Sequence, residues 1–224
     1  MQVELLNYTP DPERAVAIAA RLCYAPIGAT ELMEGLSDKE AKKVLETIVK
    51  SGHHSALEHA SLTFAIDGVS RSLTHQLVRH RIASYNQQSQ RYVTSKAINV
   101  VTPHTIEGTE LQELFDEAMQ NAWAAYDKLL DAGIPAEDAR YVLPNAAVTK
   151  IVVTMNMREL LHFFSVRCCK RAQWEIREMA LQMLELAKQV APYVFFDAGA
   201  PCRRGNCPEG SMSCGEPYQR IVRP

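Results

Sequence analysis

The sequence predicts an α+β protein in which long helices pack against a mixed β-sheet. Short apolar segments that alternate with polar residues or are rich in β-branched residues, such as residues 62–66 and 149–154, are typical of strands. Longer segments have apolar residues every three or four positions, the spacing of one helix face. The 47% hydrophobic and 22% charged content of the 224 residues is ordinary for a globular protein with a sizeable core.

The N-terminal part predicts one strand and two helices. Residues 3–5 suggest the strand. Residues 10–13, Pro-Asp-Pro-Glu, open the first helix, because proline suits the first turn and acids suit its positive end. Cys23 is expected to be a small buried residue on the packed face of this helix. Residues 37–40, Ser-Asp-Lys-Glu, form a capping box for the next helix, which Gly52 ends.

The middle of the chain predicts a strand over residues 62–66 and a helix with Val69, Leu73 and Leu77 on one face. Residues 79–91 begin at the end of that helix. We expect them to continue as an irregular loop, because their serine and asparagine residues are poor helix formers.

The next segment predicts a strand over residues 98–101 and then a long helix. Residues 109–112, Thr-Glu-Leu-Gln, are expected to cap this helix, and Gly133 is expected to end it. Trp123 and Tyr126 are more typical of a core or an interface than of ligand stacking.

The C-terminal half predicts a short helix over residues 135–144, a buried strand over residues 149–154, and a polar strand-to-helix junction at residues 156–158. The helix that follows packs its apolar side through residues 160–168. The last helix, residues 176–190, has a second apolar stripe that would suit an oligomer interface.

Positive charge is concentrated in one part of a near-neutral chain. The chain has 24 Lys and Arg against 26 Asp and Glu. No acid occurs between Asp67 and Glu107, where the cations are Arg71, Arg79, Arg81, Arg91 and Lys96. The planar guanidinium can donate two parallel hydrogen bonds to a phosphate. This segment therefore predicts an anion site.

Two other interpretations of this segment remain open. Arginines on an amphipathic helix usually form a solvated face, but such a face normally has interspersed acids. A non-catalytic anion- or RNA-binding module would also recruit Arg, Ser and Asn to phosphates. Against this module, the patch is short and the overall charge is not basic, so we expect no nucleic-acid partner.

The central stretch reads Arg79-His80-Arg81, two residues, Ser84, one residue, Asn86, two residues, Ser89, one residue, Arg91. It resembles the signature of the flavin-dependent thymidylate synthases at every fixed position. Further similar blocks are residues 139–144 and 156–158, Arg167 and residues 172–176. The resemblance covers most of residues 1–198 and implies a thymidylate synthase-complementing-protein-like fold. We expect residues 1–198 to form one domain and residues 199–224 a separate tail.

The resemblance implies reductive methylation of dUMP to dTMP. FAD would be the cofactor, 5,10-methylenetetrahydrofolate the carbon donor and NADPH the reductant. It also implies a homotetramer whose active sites are shared between subunits. No cysteine lies in or beside the central stretch, which agrees with the flavin route over attack by a thiolate. The chain has no GxGxxG fingerprint, so side chains must neutralise the FAD diphosphate.

The resemblance also assigns residues to the site. Arg167 would lie against the uracil as the catalytic group. The flavin-binding residues would be Ser55, Arg79, His80, Arg81, Gln87, Asn156, Met157, Arg158 and His162. The dUMP-binding residues would be Gln76, Leu77, Val78, Arg79, Gln87, Gln88, Ser89, Gln90, Arg91, Arg140 and Arg167.

Three residues stand where relatives differ. Gln87 occupies a position that is often glutamate, so a role that needs an acid there is in doubt. His162 and Arg171 are also departures. Ser89 is expected to contact phosphate or substrate and not to act as a nucleophile, because no His and Asp pair is evidently aligned to activate it.

Histidines and cysteines raise the question of a metal. His53, His54 and His59 lack the HExxH spacing, so a polar loop is expected there. Cys202, Cys207 and Cys214 could bind zinc or iron, but the tail has no CxxC pair and no fourth cysteine. An irregular lid or packing tail is the alternative, so no metal is predicted. The sequence does not decide whether Cys168 and Cys169 come near.

The expected location is the cytoplasm. No apolar run reaches the length of a membrane span, and the N-terminus lacks the order of a signal peptide. The six cysteines are therefore expected to be reduced.

Overall fold

The computed structural model describes residues 1–94 and 97–222. Its strands are β1 (Gln2–Tyr8), β2 (Ser61–Ser70), β3 (Ala83–Gln87) and β4 (Val148–Asn156). Its α-helices are α1 (Pro12–Leu22), α2 (Ala29–Gly35), α3 (Asp38–Ser51), α4 (Arg71–Leu77), α5 (Gln112–Asp131), α6 (Ala136–Ala139), α7 (Met157–Arg167) and α8 (Trp174–Val190). Short 3-10 helices span His54–His59, Arg140–Val142, Pro201–Arg203 and Gly210–Met212.

The four strands form one sheet in the order β1-β2-β4-β3. The α+β class is confirmed, and the sheet is antiparallel, a narrower arrangement than the expected mixed sheet. Along β4, buried and partly exposed residues alternate, as the two-residue period of a strand requires. Between β2 and β4, the hydroxyl oxygens of Thr63 and Thr154 lie 2.9 Å apart, a cross-strand hydrogen bond.

The chain divides into two compact units. The first unit contains residues 1–2, 66–79 and 86–151, and the second contains the rest of the described chain, including 80–85 and the tail. The central stretch thus contributes to both, because Arg79 and residues 86–91 belong to the first unit and residues 80–85 to the second. The expected boundary at residue 198 stays a prediction.

The core of the second unit is built from aromatic rings of α7 and the segment after α8. Phe163, Phe164 and Phe195 are fully buried. The ring of Phe164 meets those of Phe163 and Phe195 edge-on, each at 5.7 Å between centroids. Edge-to-face pairs of this kind hold helices in register. They fix α7, which carries several of the predicted site residues.

The prediction of an irregular loop after α4 is wrong for residues 83–87. These residues form β3 at the edge of the sheet. Their burial alternates, with Ser84 and Asn86 exposed and the residues on either side partly buried. Pairing with β4 continues past the strand, where the Gln88 N–H donates to the Lys150 carbonyl oxygen at 2.9 Å. Sheet pairing therefore overrides the loop propensity of the individual residues.

The strand predicted over residues 98–101 reduces to one bridge between Val100 and Ala147. The long helix begins at Gln112, with Leu111 as a cap residue that makes no side-chain cap. The predicted cap fails because Gln112 Oε1 accepts the Gly108 N–H at 2.6 Å, which closes the preceding turn.

The burial predicted for Cys23 is also wrong. Cys23 is exposed at the end of α1, where its thiol donates weakly to the Ala19 carbonyl oxygen at 3.9 Å. Leu22 next to it is 44% exposed, so the packed face of this helix ends earlier than the sequence period suggests.

Other local predictions are confirmed. Ser37 and Glu40 form the capping box, and Gly52 ends α3 at a φ of 72°, a conformation that favours glycine. Trp123 and Tyr126 are buried, as a core role requires. The oligomer interface expected on the second apolar side of α8 is not supported there, because Met179 and Leu184 are buried within the same chain.

No helix in the described ranges is both long and apolar enough to cross a membrane.

Candidate active site

The predicted site residues fall into one group in each unit. The first unit holds most of the predicted substrate contacts, namely Gln76, Leu77, Val78, Arg79, Gln87, Gln88, Ser89, Gln90, Arg91 and Arg140. The second unit holds Ser55, His80, Arg81, Asn156, Met157, Arg158, His162 and Arg167. The geometry within each group follows.

In the second unit, His80 stands between an acid and an arginine. Its ring is buried, at 6% exposure. Its Nδ1 lies 3.1 Å from Glu159 Oε1, and its Nε2 lies 3.0 Å from Arg167 Nε. Arginine can only donate, so Nε2 must offer a lone pair. The proton of the neutral ring therefore sits on Nδ1, where it is donated to Glu159.

The environment keeps this imidazole neutral. Burial, followed by the charges of Arg167 and His162, lowers the pKa of His80 to about 4. Burial also raises the pKa of Glu159 above its ordinary value. A neutral His80 agrees with the hydrogen-bond geometry, because a protonated ring would direct an N–H at the Arg167 guanidinium.

Glu159 was not predicted, and it is positioned by the start of α7. The Asn156 side chain caps this helix by accepting the Glu159 N–H through Oδ1 at 2.9 Å. The Met157 N–H donates to the Ala60 carbonyl oxygen, also at 2.9 Å. Asn156 therefore sets the direction from which Glu159 approaches the ring of His80.

The rest of the His80 environment is rigid. The Phe163 ring packs edge-on against the imidazole at 4.9 Å between centroids. The Tyr85 hydroxyl donates to the His80 carbonyl oxygen at 2.7 Å, and burial raises the pKa of this phenol. Tyr85 was not predicted either. These contacts hold the ring in one orientation, so the acceptor that meets Arg167 is fixed before any ligand arrives.

His80, Glu159 and His162 form the one group of three metal-ligand side chains in the described ranges whose ligand atoms lie within 4.8 Å of one another. Both nitrogens of His80 already have hydrogen-bond partners. A metal on this ring would have to displace either Glu159 or the Arg167 guanidinium. The guanidinium already supplies a fixed positive charge, so the group is better explained as a support for Arg167.

A second cationic neighbourhood of this unit surrounds the 3-10 helix that carries Ser55. Ser55 is exposed, and Arg158 makes an ion pair with Glu58 on the same short helix. Burial lowers the pKa of His54, and the charges of Arg158 and Arg204 add to the effect. This surface is positive and accessible.

In the first unit, Arg71 contacts the central stretch directly. One terminal nitrogen of Arg71 donates to the Gln88 carbonyl oxygen at 2.8 Å. Burial and the charge of Arg140 both lower the pKa of Arg71. Its Nε is buried without a hydrogen-bond partner among the described residues. A bound anion could accept a hydrogen bond from this buried Arg71 Nε and interact favourably with the neighbouring Arg140.

Gln87 uses its amide as a donor. Its Nε2 donates to the hydroxyl oxygens of Thr74 and Thr149, at 3.0 Å and 3.4 Å. The Thr74 hydroxyl is itself committed, since it donates to the Arg71 carbonyl oxygen at 3.0 Å. A carboxylate at this position would lack the proton that Gln87 supplies. The departure from the family pattern therefore fits its surroundings.

Two further cations of this unit, Arg91 and Arg140, both contact Glu137. Arg91 Nε lies 2.5 Å from Glu137 Oε2, and Arg140 Nε donates to the Glu137 carbonyl oxygen at 3.0 Å. Ser89 Oγ accepts the Arg91 N–H at 3.1 Å, which tightens the turn after β3. Glu137 therefore holds the guanidinium groups of two separate segments in the same region.

Exposure separates the remaining predicted contacts. Arg79, Val78, Arg81, Gln88 and His162 are exposed, and Gln76 and Gln90 are partly buried. Leu77 and Met157 are fully buried, so only their backbones could reach a ligand.

Comparisons with known proteins cover almost the whole chain. Residues 4–193 match the family model described as "Thymidylate synthase complementing protein". A Geobacter sulfurreducens protein named flavin-dependent thymidylate synthase is 58% identical over 219 residues, which are 96% of this chain and 94% of that one. A Clostridium tetani protein of the same name is 50% identical over 233 residues, with the same coverage.

One solved structure resembles the fold closely. The UMP/dUMP methylase PolB from Streptomyces cacaoi, bound with 5-Br dUMP, superposes with a TM-score of 0.76 at 27% identity. The match covers 87% of this chain and 93% of that one.

Proposed function

Since the chain belongs to the thymidylate synthase complementing protein family, we propose that it is a flavin-dependent thymidylate synthase that methylates dUMP to dTMP. The observation that carries this proposal is the hydrogen bond from Arg167 Nε to the neutral His80 ring. It holds a cation in a fixed place on a chain whose relatives carry this activity. FAD is the cofactor of these enzymes, with NADPH and methylenetetrahydrofolate as co-substrates.

Arg167 is proposed as the catalytic group. C5 of uracil is a weak nucleophile, and attack from it onto the carbon donor is favoured when negative charge on the ring is stabilised. A guanidinium fixed in advance provides that stabilisation with little reorganisation. His80 supplies the fixing contact, and Glu159 holds His80 in the tautomer that accepts from Arg167. His80 and Glu159 are therefore positioning residues.

The dUMP phosphate is proposed to bind in the first unit. Arg91 and Arg140 are tethered to Glu137, and Arg71 has a buried Nε without a partner among the described residues. These cations, with the Ser89 hydroxyl, make a donor set suited to a phosphate dianion. The remaining proposed phosphate contacts lie next to or within the central stretch: Gln76, Arg79 and residues 87–90.

The residues of the second unit fit an anionic dinucleotide. Ser55, Arg81 and Arg158 are exposed. Burial lowers the pKa of His54, and the charges of Arg158 and Arg204 act in the same direction. Hydroxyl and guanidinium donors are what a diphosphate needs when no glycine-rich loop is present. Asn156 caps α7, which carries Arg158 and His162. When bound, FAD would supply the electrons that complete the methyl group.

The finer assignments are also proposals. We keep a homotetramer with shared active sites, because the predicted contacts are spread over many segments of the chain. Residues 1–198 would form the catalytic domain. The enzyme would work in the cytoplasm, where its six unpaired cysteines would persist as thiols.

The test is dTMP formation by the purified protein with FAD, NADPH and the folate, together with its visible spectrum. We expect a flavin band that NADPH bleaches under air-free conditions. Arg167→Ala should lose dTMP formation but keep the flavin band. Arg14→Ala, which removes an arginine that pairs with the exposed Asp38, is the matched control and should stay active.

A colourless protein that takes up no added FAD and forms no dTMP would overturn the proposal. The remaining explanation would then be a module that binds polyanions in a salt-dependent way without catalysis.

A further inference from the structure

A cavity of about 360 Å³ lies between the end of α7 and the C-terminal tail, within the second unit. Four of the six cysteines line it: Cys169, Cys202, Cys207 and Cys214. The first follows α7, and the other three come from the tail. The sequence alone showed three cysteines without a fourth, and the fold supplies Cys169.

We propose that these four cysteines form a binding site for a thiophilic divalent cation, with Zn²⁺ as the best match. Four thiolates are a complete tetrahedral set for a structural zinc ion, which leaves no open position for catalysis. Such a site would tie the tail to the end of α7, the helix that carries Arg167. It would act on the structure of the tail and take no part in electron transfer.

Backbone donors already point at two of the sulfur atoms. The Tyr218 N–H donates to Cys202 Sγ, and the Glu216 N–H donates to Cys214 Sγ, each at 3.4 Å. Amide donors to sulfur stabilise thiolates and are typical of cysteines that bind metals. Gly215 has a φ of 76°, which turns the chain so that the next N–H faces Cys214. Cys23 differs, because its thiol is the donor.

Two ion pairs join the tail to the chain beside Cys169. Lys170 and Arg171 line the cavity next to this cysteine. Lys170 pairs with Glu216 at 3.0 Å and Arg171 with Glu209 at 2.9 Å, both in the tail. These ion pairs hold the tail over the cavity before a cation binds.

The neighbouring Cys168 is excluded as a ligand. It is 1% exposed and does not line the cavity. Cys169 is therefore the member of the pair that faces the tail.

The site would close when the cation binds. Zinc–sulfur bonds of about 2.3 Å place the four sulfurs within about 4 Å of one another. The cysteines do not meet the looser limit of 4.8 Å in any group of three within the described ranges. Binding must therefore draw the tail inward, and the free energy of binding would appear as ordering of the tail.

The first experiment measures metal in the full-length protein, purified under reducing conditions without chelator and then loaded with Zn²⁺ or Co²⁺. We expect one tightly held ion per chain, and a cobalt spectrum with the thiolate charge-transfer and tetrahedral bands of a four-sulfur site. Cys207→Ser should weaken cation binding by more than the ~10- to 100-fold seen on losing an outer-shell partner. Cys23→Ser, the matched control at an exposed cysteine, should bind the ion unchanged.

A second variant guards against simple misfolding. Cys214→His replaces one ligand type with another, so it should keep the stoichiometry while the cobalt charge-transfer band weakens. No retained ion and no tetrahedral cobalt spectrum in the reduced wild-type chain would overturn the proposal. So would a disulfide among these four cysteines that resists reduction, or equal binding by Cys207→Ser and wild type. The ion measurement is independent of dTMP formation, so either proposal can fail alone.

Discussion

The hydrogen-bonded series Glu159, His80, Arg167 gives the sharpest prediction for the enzyme. Replacing Glu159 with leucine keeps the side-chain volume near its present value but removes the acceptor at His80 Nδ1. The imidazole would then be free to adopt the other tautomer, in which Nε2 carries the proton. Its N–H would face the N–H of Arg167, and the contact that fixes the guanidinium would be lost.

The expected fall in kcat/KM follows from the free energy of the lost hydrogen bond. A hydrogen bond to a charged group contributes about 1.5–3 kcal/mol, which corresponds to about a 10- to 150-fold fall in kcat/KM for dUMP. The free energy of unfolding should fall by about 1–3 kcal/mol, because a buried N–H of the His80 ring is left without an acceptor. The tautomer of His80 in the folded variant therefore separates positioning from folding.

Glu159→Gln is the matched control. Its amide oxygen can still accept from Nδ1, so kcat/KM should fall by no more than about threefold. The assay is steady-state dTMP formation, with ¹⁵N NMR of the histidine ring to identify the tautomer. If Glu159→Leu retains wild-type kcat/KM, or if its His80 still carries the proton on Nδ1 while activity falls, the positioning role is refuted.

Three further predictions concern the two units. Arg71→Ala should raise the KM for dUMP by about 10- to 150-fold, because a charged donor beside Arg140 is lost; an unchanged KM, as expected for the control Arg14→Ala, would exclude Arg71 from the phosphate site. Gln87→Glu should lower the free energy of unfolding in urea by about 1 kcal/mol, since the hydrogen bond donated to Thr74 is lost; equal stability would show that the amide proton is not needed. The folded pKa of His80, about 4, lies below its ordinary 6.5. The unfolded chain therefore binds the proton first, and stability should fall by about 3 kcal/mol as the pH drops through that window. His80→Gln should flatten this acid slope, and an unchanged slope would contradict the assignment.

The sequence predicted the elements that depend on local pattern. The helix that starts after the polar junction at Asn156 and carries Arg167 follows from spacing and composition, whereas the site roles of Arg167 and the central stretch come from the resemblance and stay predictions. The strand character of residues 83–87 does not, because it comes from pairing with β4 and not from propensity.

Long-range partners were missed for a related reason. Glu159 meets His80 across 79 positions of sequence. Two weak signals were available: an acid three residues after a capping asparagine, and a histidine between two arginines. Neither identifies a partner without the fold. The position of Cys169 beside the three cysteines of the tail could likewise not be predicted without the fold.

The neutral His80 ring beside Arg167 affects both how firmly the guanidinium is held and how much of its positive charge is offset. An arginine is usually held by a carboxylate, which binds it strongly but cancels most of its field at short range. Here the carboxylate is set back behind an imidazole, which orients the guanidinium through a lone pair while carrying no net charge. In the His80→Asp variant, we expect the aspartate to bind Arg167 more strongly and the catalytic activity to be lower. In the catalytic role proposed for Arg167, this arrangement separates the group that orients the cation from a group that would neutralise it.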